Sequence, residues 1–359
     1  MRIVSLGEPR VIMENPTERH NYFARPTVAR LKNGRLAVAA SGFRMRHICP
    51  FGKTVLAFSD DNGETYTAPA PVIDTVLDDR DGGVTPFGES GVVVTSFNHT
   101  VEFQRQYAET PYDHAYLDTI TPEEEAAALG ATFRISHDNG VTFGPICKCP
   151  VTSPHGPVEL PDGTLLWVGR TYSEADVQMP EKDCIRAYAI HQNGTTEFVG
   201  EIANIQRGDL FPLSCEPHAI VLPDGRILAH IRVQKPQTRL FTVYQSESDD
   251  NGRTWSEPHQ LLSDTGGSPP HLLQLSTGLL VCTYGYRAAK PFGVKAMFSR
   301  DNGTTWDVDH VIYENHASAD LGYPSTVELP DGSLLTVFYA RSAENAPAVI
   351  LQQRWRFEE

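Results

Sequence analysis

Five arginines, Arg44, Arg170, Arg232, Arg287 and Arg341, recur at or just past the ends of short apolar runs rich in β-formers, and Arg25 stands just before another such run. The chain as a whole is acidic, with a formal net charge of -15. Guanidinium groups gathered at one repeated address in such a chain predict a basic pocket on an acidic body. Arginine's planar fork suits a carboxylate, which it holds bidentately. Glu216, Asp81 and Tyr323 occupy the same repeat position as Arg25, at the start of a run, and His47 is the nearest titratable group in the loop after Arg44. That shared position is where a site is to be sought. His155, His218 and His271 also recur at matching positions. They are placed with the substrate-binding set, with metal binding or base catalysis as rival uses and no metal assigned.

The elements that must carry these residues repeat as well. Pro26 to Ala39 reads as an apolar run, an Asn-Gly turn and a second run, and its kin are GPVELPDGTLLWVG (156–169), HAIVLPDGRILAHI (218–231), HLLQLSTGLLVCTY (271–284) and STVELPDGSLLTVF (325–338). A weaker copy runs from Val84 to Val94. Each is a hairpin signal, and six of them at intervals of about 50 to 70 residues mean a repeat architecture of four-stranded units. The fold class is therefore all-β, a six-bladed β-propeller forming one domain over residues 1–359. Its blades start near Pro26, Asp81, Ser153, Glu216, Pro269 and Tyr323. The last blade has room for three strands, so residues 2–13 are expected to supply the fourth and close the ring. Residues 98–130 interrupt the second blade. They end in TPEEEAAALG, a helix with an N-cap Thr, Pro in its first turn and Gly at its end.

A third repeat lies between the hairpins. The phrase Ser-x-Asp-x-Gly-x-Thr-aromatic occurs at Ser59–Tyr66, Ser136–Phe143, Ser248–Trp255 and Ser299–Trp306. Its residue types suit a tight turn whose Asp accepts backbone N–H groups and whose Gly takes positive φ. The phrase resembles the Asp-box of the sialidase-like propellers. That resemblance implies that each copy joins the two outer strands of a blade and is scaffold. Because neighbouring strands run antiparallel, the Asp-boxes then lie on one face and the candidate residues on the other, around the central channel.

The resemblance also implies roles. In sialidases three arginines hold the sugar carboxylate, a Tyr opening the sixth blade is the nucleophile, a Glu on the fourth blade activates it, and an Asp on the first blade is the acid/base. Gly322-Tyr323-Pro324-Ser325 puts Tyr323 at the nucleophile position, Cys215-Glu216 supplies the Glu, and Arg232, Arg287 and Arg25 match the arginines, Arg25 one position out of the usual spacing. A Tyr nucleophile suits a substrate whose own negative charge would repel a carboxylate. The loop from Ser41 to Gly52 contains no Asp. Asp81 and His47 are the candidates left for the acid/base.

These readings favour a glycosidase acting on a terminal acidic sugar, with no cofactor and an acidic glycan as partner. A polysaccharide lyase using His and Tyr on uronates, and a propeller that binds carbohydrate without turning it over, are the alternatives. The net charge argues against a nucleic-acid surface, and no apolar run approaches a membrane span. Six scattered cysteines read as reduced, mostly buried thiols. With no secretory signal in residues 1–20, a cytoplasmic protein is expected, or a secreted one if an upstream signal was removed.

Overall fold

The computed structural model describes residues 1–358 except 17, 174–183, 206–211, 236–237, 239, 264–266 and 268. Its strands form six antiparallel sheets arranged as the blades of one propeller, four of them four-stranded and two, blades 3 and 6, with one of their four strands split in two. Blade 1 is Tyr22–Arg30, Leu36–Arg44, Lys53–Ser59 and Ala70–Ile73. Blade 4, from Leu213–Val221 to His259–Gln260, and blade 5, from Pro270–Gln274 to Asp307–His316, follow the same order. Blade 6 closes the ring as expected: Arg2–Ser5 and Arg10–Met13 both pair with Ala348–Glu358, Arg2 opposite Glu358 and Arg10 opposite Gln352.

The alternation of side chains along each strand explains why the runs are apolar throughout. In Leu36–Arg44, Leu36, Val38 and Ala40 pack against blade 6 residues such as Val327, Leu335 and Ile350, whereas Ala37 and Ala39 pack against Val84, Val92 and Val94 of blade 2. Successive side chains point to opposite faces of a sheet, so a blade between two neighbours must be apolar on both. Similar clusters fill the other blade interfaces, for instance Phe133 with Trp167 and Leu228 with Leu280.

The Asp-boxes form the turns expected. In the first, Asp61 Oδ1 accepts from Ser59 Oγ and Thr65 N, both at 2.8 Å, and Oδ2 accepts from Thr65 Oγ1 at 2.6 Å. Asn62 and Gly63 both hold positive φ, the conformation a tight hairpin turn demands. The aromatic turns inward, and Tyr66 donates its hydroxyl to Gln352 Oε1 of blade 6 at 2.7 Å.

Two details differ from the sequence reading. The first strand of blade 3 is broken into Val151–Thr152 and Val158–Glu159, because Pro154 and Pro157 have no N–H to give a ladder. The insertion holds three helices, not one: α1 (Val101–Arg105), α2 (Pro111–Leu117) and α3 (Pro122–Ala128). Thr110 caps α2 and Thr121 caps α3 through the same capping box, completed by Asp113 and Glu124. Arg46 of the blade 1 loop binds Asp113, and Phe51 stacks on Tyr112 at 4.6 Å, so the insertion is fastened to the rim beside the channel. All six cysteines are free. Among the described residues no helix is long and apolar enough to cross a membrane.

Candidate active site

Four of the six aligned blade-start residues share an unusual backbone. Arg25, Asp81, Glu216 and Tyr323 have φ values of 53°, 57°, 48° and 48°, and the pairing of each first strand with its neighbour shifts register at that point. Left-handed backbone at a residue with a Cβ costs about 1–3 kcal/mol and persists where surrounding contacts fix it. Here the bulge turns four candidate side chains out of the blade and toward the channel mouth. At Asp81 the strained amide is secured by Ser41 Oγ, which accepts from it at 2.8 Å.

The side chains converge as the sequence reading required. Tyr323 donates its hydroxyl to Glu216, whose other carboxylate oxygen takes Arg232 Nη1. Arg232 Nη1 also lies 3.3 Å from the Tyr323 hydroxyl. The guanidinium carbons of Arg287 and Arg25 lie 5.4 and 5.9 Å from the centre of the Tyr323 ring. Burial pushes the Glu216 pKa up, but Arg232, Tyr323 and Arg287 outweigh it and hold the carboxylate ionised below its ordinary value. Burial and the Glu216 charge raise the Tyr323 phenol well above its own. Phenol and carboxylate are therefore arranged as donor and acceptor.

Asp81 and His47 both reach this site. Asp81 is buried, pairs with Arg25 Nε at 3.0 Å, and lines the same cavity as Tyr323 and Glu216. Burial raises its pKa despite the opposing charges of Arg25 and Arg80. His47 stands half-exposed on the rim. Arg25 Nη2 donates to His47 Nε2 at 2.7 Å, and Nδ1 lies 3.3 Å from Asp320 Oδ1, a pattern that places the single proton of a neutral imidazole on Nδ1. Crowding by the rim and the Arg25 charge lower its pKa.

The remaining expected residues divide. Arg170 lines the cavity from blade 3. Arg341 reaches the rim but is bound to Asp320, at 3.0 Å through Nε and 2.7 Å through Nη2. Arg44, expected to bind substrate, is instead fully buried behind the His47 loop, where Asp78 pairs with it and the His47 carbonyl accepts from it at 2.8 Å. It shapes the loop and offers no surface to a ligand.

His155, His218 and His271, expected to bind substrate, do not line this cavity. They meet on the axis below the pocket as a buried stack, His218 parallel to His271 at 4.4 Å and His155 edge-on to both. The Leu272 and Thr326 amides donate to His218 Nδ1 and His271 Nδ1 at 2.8 and 3.3 Å, which fixes both rings as neutral acceptors. Alternation explains the placement: two residues beyond the bulge, a side chain points to the axis but one layer deeper. Among the described residues no cluster of His, Cys, Asp and Glu is arranged to hold a metal ion.

Sequence reasoning missed Asp320. Its carboxylate accepts from Tyr22 and Tyr339 hydroxyls, both at 2.8 Å, besides contacting Arg341 and His47. The only signal was its place three residues before Tyr323. Arg80, His99 and Tyr172, which line the cavity, were also passed over as site residues.

Fold and site together define a sialidase-like propeller: six four-stranded blades, Asp-boxes on one face, and a Tyr–Glu pair ringed by arginines on the other. The family model described as "BNR repeat-like domain" matches residues 114–338, and the chain belongs to that family. A stretch of 112 residues is 34% identical to Sialidase-2 of Cricetulus griseus and covers 25% of this chain but only 29% of that relative. Two solved structures share the fold. A protein of unknown function from Dyadobacter fermentans is 21% identical, with 99% of both chains covered and a TM-score of 0.77. The NanB sialidase of Streptococcus pneumoniae is 12% identical, with 97% of this chain and 70% of that one covered and a TM-score of 0.66.

Proposed function

We propose that the protein is a glycoside hydrolase that releases a terminal, carboxylate-bearing sugar. The observation that carries this reading is the hydrogen bond from Tyr323 to Glu216 inside a ring of arginines with donors to spare. Arg25 Nη1, Arg232 Nε, and Arg287 Nε and Nη2 are buried without a hydrogen-bond partner. Buried charged donors left unpaired are costly, and an incoming carboxylate satisfies several at once. The small cavity, about 240 Å³, fits one sugar at a chain end better than the middle of a polymer.

In the first step Tyr323 Oη bonds to the anomeric carbon as the glycosidic bond breaks, and its proton passes to Glu216. The leaving oxygen takes a proton from Asp81, whose raised pKa and place in the cavity suit that role better than His47 with its lone pair facing Arg25. In the second step water attacks the anomeric carbon, Asp81 takes a proton from it, and the departing phenolate recovers its own from Glu216. Burial makes a free phenolate costly, so proton transfer to Glu216 must accompany carbon–oxygen bond formation.

The test is hydrolysis of aryl glycosides of carboxylate-bearing sugars, sialosides first, by wild type and Tyr323→Phe. Release of the aryl alcohol and free sugar by the wild type alone supports the reading. A ligand recovered unaltered means a binding protein, and a product absorbing as an unsaturated uronate means elimination.

A further inference from the structure

Of the three arginines of the carboxylate clamp, Arg232 lines the cavity, beside Glu216 and Tyr323. The wall from blades 2 and 3 carries Arg80 and Arg170 with His99, Phe97 and Tyr172. Arg80 is the telling member. Its side chain is nine-tenths buried, its Nε has no hydrogen-bond partner, and its nearest carboxylates, Asp78 and Asp81, stand at 4.0 and 3.9 Å. Both have closer partners, since Asp78 is held by Arg44 and Asp81 by Arg25. The third carboxylate nearby, Asp79, turns away to Thr75 and Asn98. Three guanidiniums, Arg25, Arg44 and Arg80, thus face two carboxylates, and the surplus positive charge lies on the cavity wall. Burial lowers the Arg80 pKa, followed by the Arg25 charge, which shows how poorly the local acids compensate it.

Evolved interiors do not leave an arginine desolvated and loosely paired without a use, because an uncompensated buried charge is strongly destabilising. A neutral hydroxyl or acyl group at this wall would leave that charge unmatched, whereas an anion would match it. We propose that Arg80 and Arg170 form a second anion subsite, and that the substrate is a sugar with two negative groups, its carboxylate at the Arg232–Arg287 side and a sulfate, phosphate or second carboxylate at the Arg80–Arg170 side. This inference rests on the hydrolase reading for its substrate but not for its binding site.

Inorganic sulfate is the direct probe, titrated calorimetrically in acetate buffer so that the carboxylate side is already occupied. Arg80→Met and Arg170→Met should each weaken sulfate about tenfold, and Arg287→Met less than twofold. Because Arg80 is buried, each variant is first checked by circular dichroism, and Arg80→Lys is the fallback should Arg80→Met not fold. Equal sulfate affinity in wild type and in both wall variants overturns the subsite. With aryl glycosides of one acidic sugar bearing O-sulfate, O-phosphate, a second carboxylate or no further group, wild type should prefer one charged form at least tenfold in kcat/KM, and Arg80→Met should erase that preference. The preferred form identifies the anion, and preference for the unsubstituted sugar overturns the proposal. Sulfate held by Arg80 and Arg170 in a protein that hydrolyses none of these substrates would sink the hydrolase reading and leave the subsite standing.

Discussion

Glu216 and Tyr323 lie 107 residues apart on blades 4 and 6, share a φ of 48°, and hydrogen-bond to each other across the channel mouth. Neither blade alone holds this pair. It exists because both first strands bulge at the same level and the ring brings their bulges together. The strain at each residue is offset by the Arg232 contact they share.

Removing the phenol oxygen should therefore separate chemistry from binding. Tyr323→Phe is expected to lower kcat by about three orders of magnitude or more, while the affinity for a carboxylate-bearing inhibitor changes less than threefold. Glu216→Gln should cost kcat and also stability, by about 3–5 kcal/mol, since it leaves Arg232 buried without its counter-charge. Steady-state kinetics with chemical denaturation resolves both. A Tyr323→Phe enzyme with wild-type kcat would exclude the phenol as nucleophile.

Asp81 and His47 make opposite predictions. Asp81→Asn should slow substrates with poor, alkyl leaving groups about 10²–10⁴-fold and aryl glycosides far less, with azide restoring turnover as the glycosyl azide. His47→Ala removes an acceptor of Arg25 and should change KM more than kcat. The reverse ranking would move the acid/base role to His47.

How much of this was legible in the sequence follows from what repeats. The blade count, the closing strand and the Asp-box hairpins repeat, and local physics makes each copy alike. The alignment that set Arg25, Asp81, Glu216 and Tyr323 at one rim position was equally a property of the repeat. Arg44 failed because the end of a strand does not fix where a long side chain goes, and Asp78, on a non-repeating loop, captured it. The three histidines lie one layer deeper than the cavity, a depth the repeat alone does not reveal. Asp320 escaped because its four partners, Tyr22, His47, Tyr339 and Arg341, meet only after the ring closes. Helix α2 was readable: its Thr110-Pro111-Tyr112-Asp113 opening follows the same scheme as that of α3.

The axial histidines should make stability depend on pH. Burial lowers the pKa of His155, His218 and His271 well below 6.5. Their neutral forms are therefore preferred in the folded state. Above about pH 6.5 neither state binds the proton and there is no effect; below it the unfolded chain takes up protons that the folded one refuses, so stability falls as pH falls. Each histidine adds up to about 1.4 kcal/mol per pH unit to that slope. Unfolding free energies measured from pH 7.5 to 5 should show a steeper decline in wild type than in His218→Gln. Equal slopes would mean that the stack protonates without cost.

Asp320→Asn tests whether the missed carboxylate positions the rim. Burial favours its neutral form, but hydrogen bonds from His47, Tyr22 and Tyr339 outweigh this and lower the Asp320 pKa far below the ordinary value. Its contribution to stability is thus complete above about pH 4 and fades as pH falls further. The amide keeps the shape and removes the charge, leaving Arg341 unpaired and two tyrosine hydroxyls with a weaker acceptor. The expected result is a lower Tm at pH 7 that converges on wild type under strong acid, together with a raised KM as Arg341 and His47 shift. A Tm difference independent of pH would show that Asp320 acts by packing, with its charge contributing nothing.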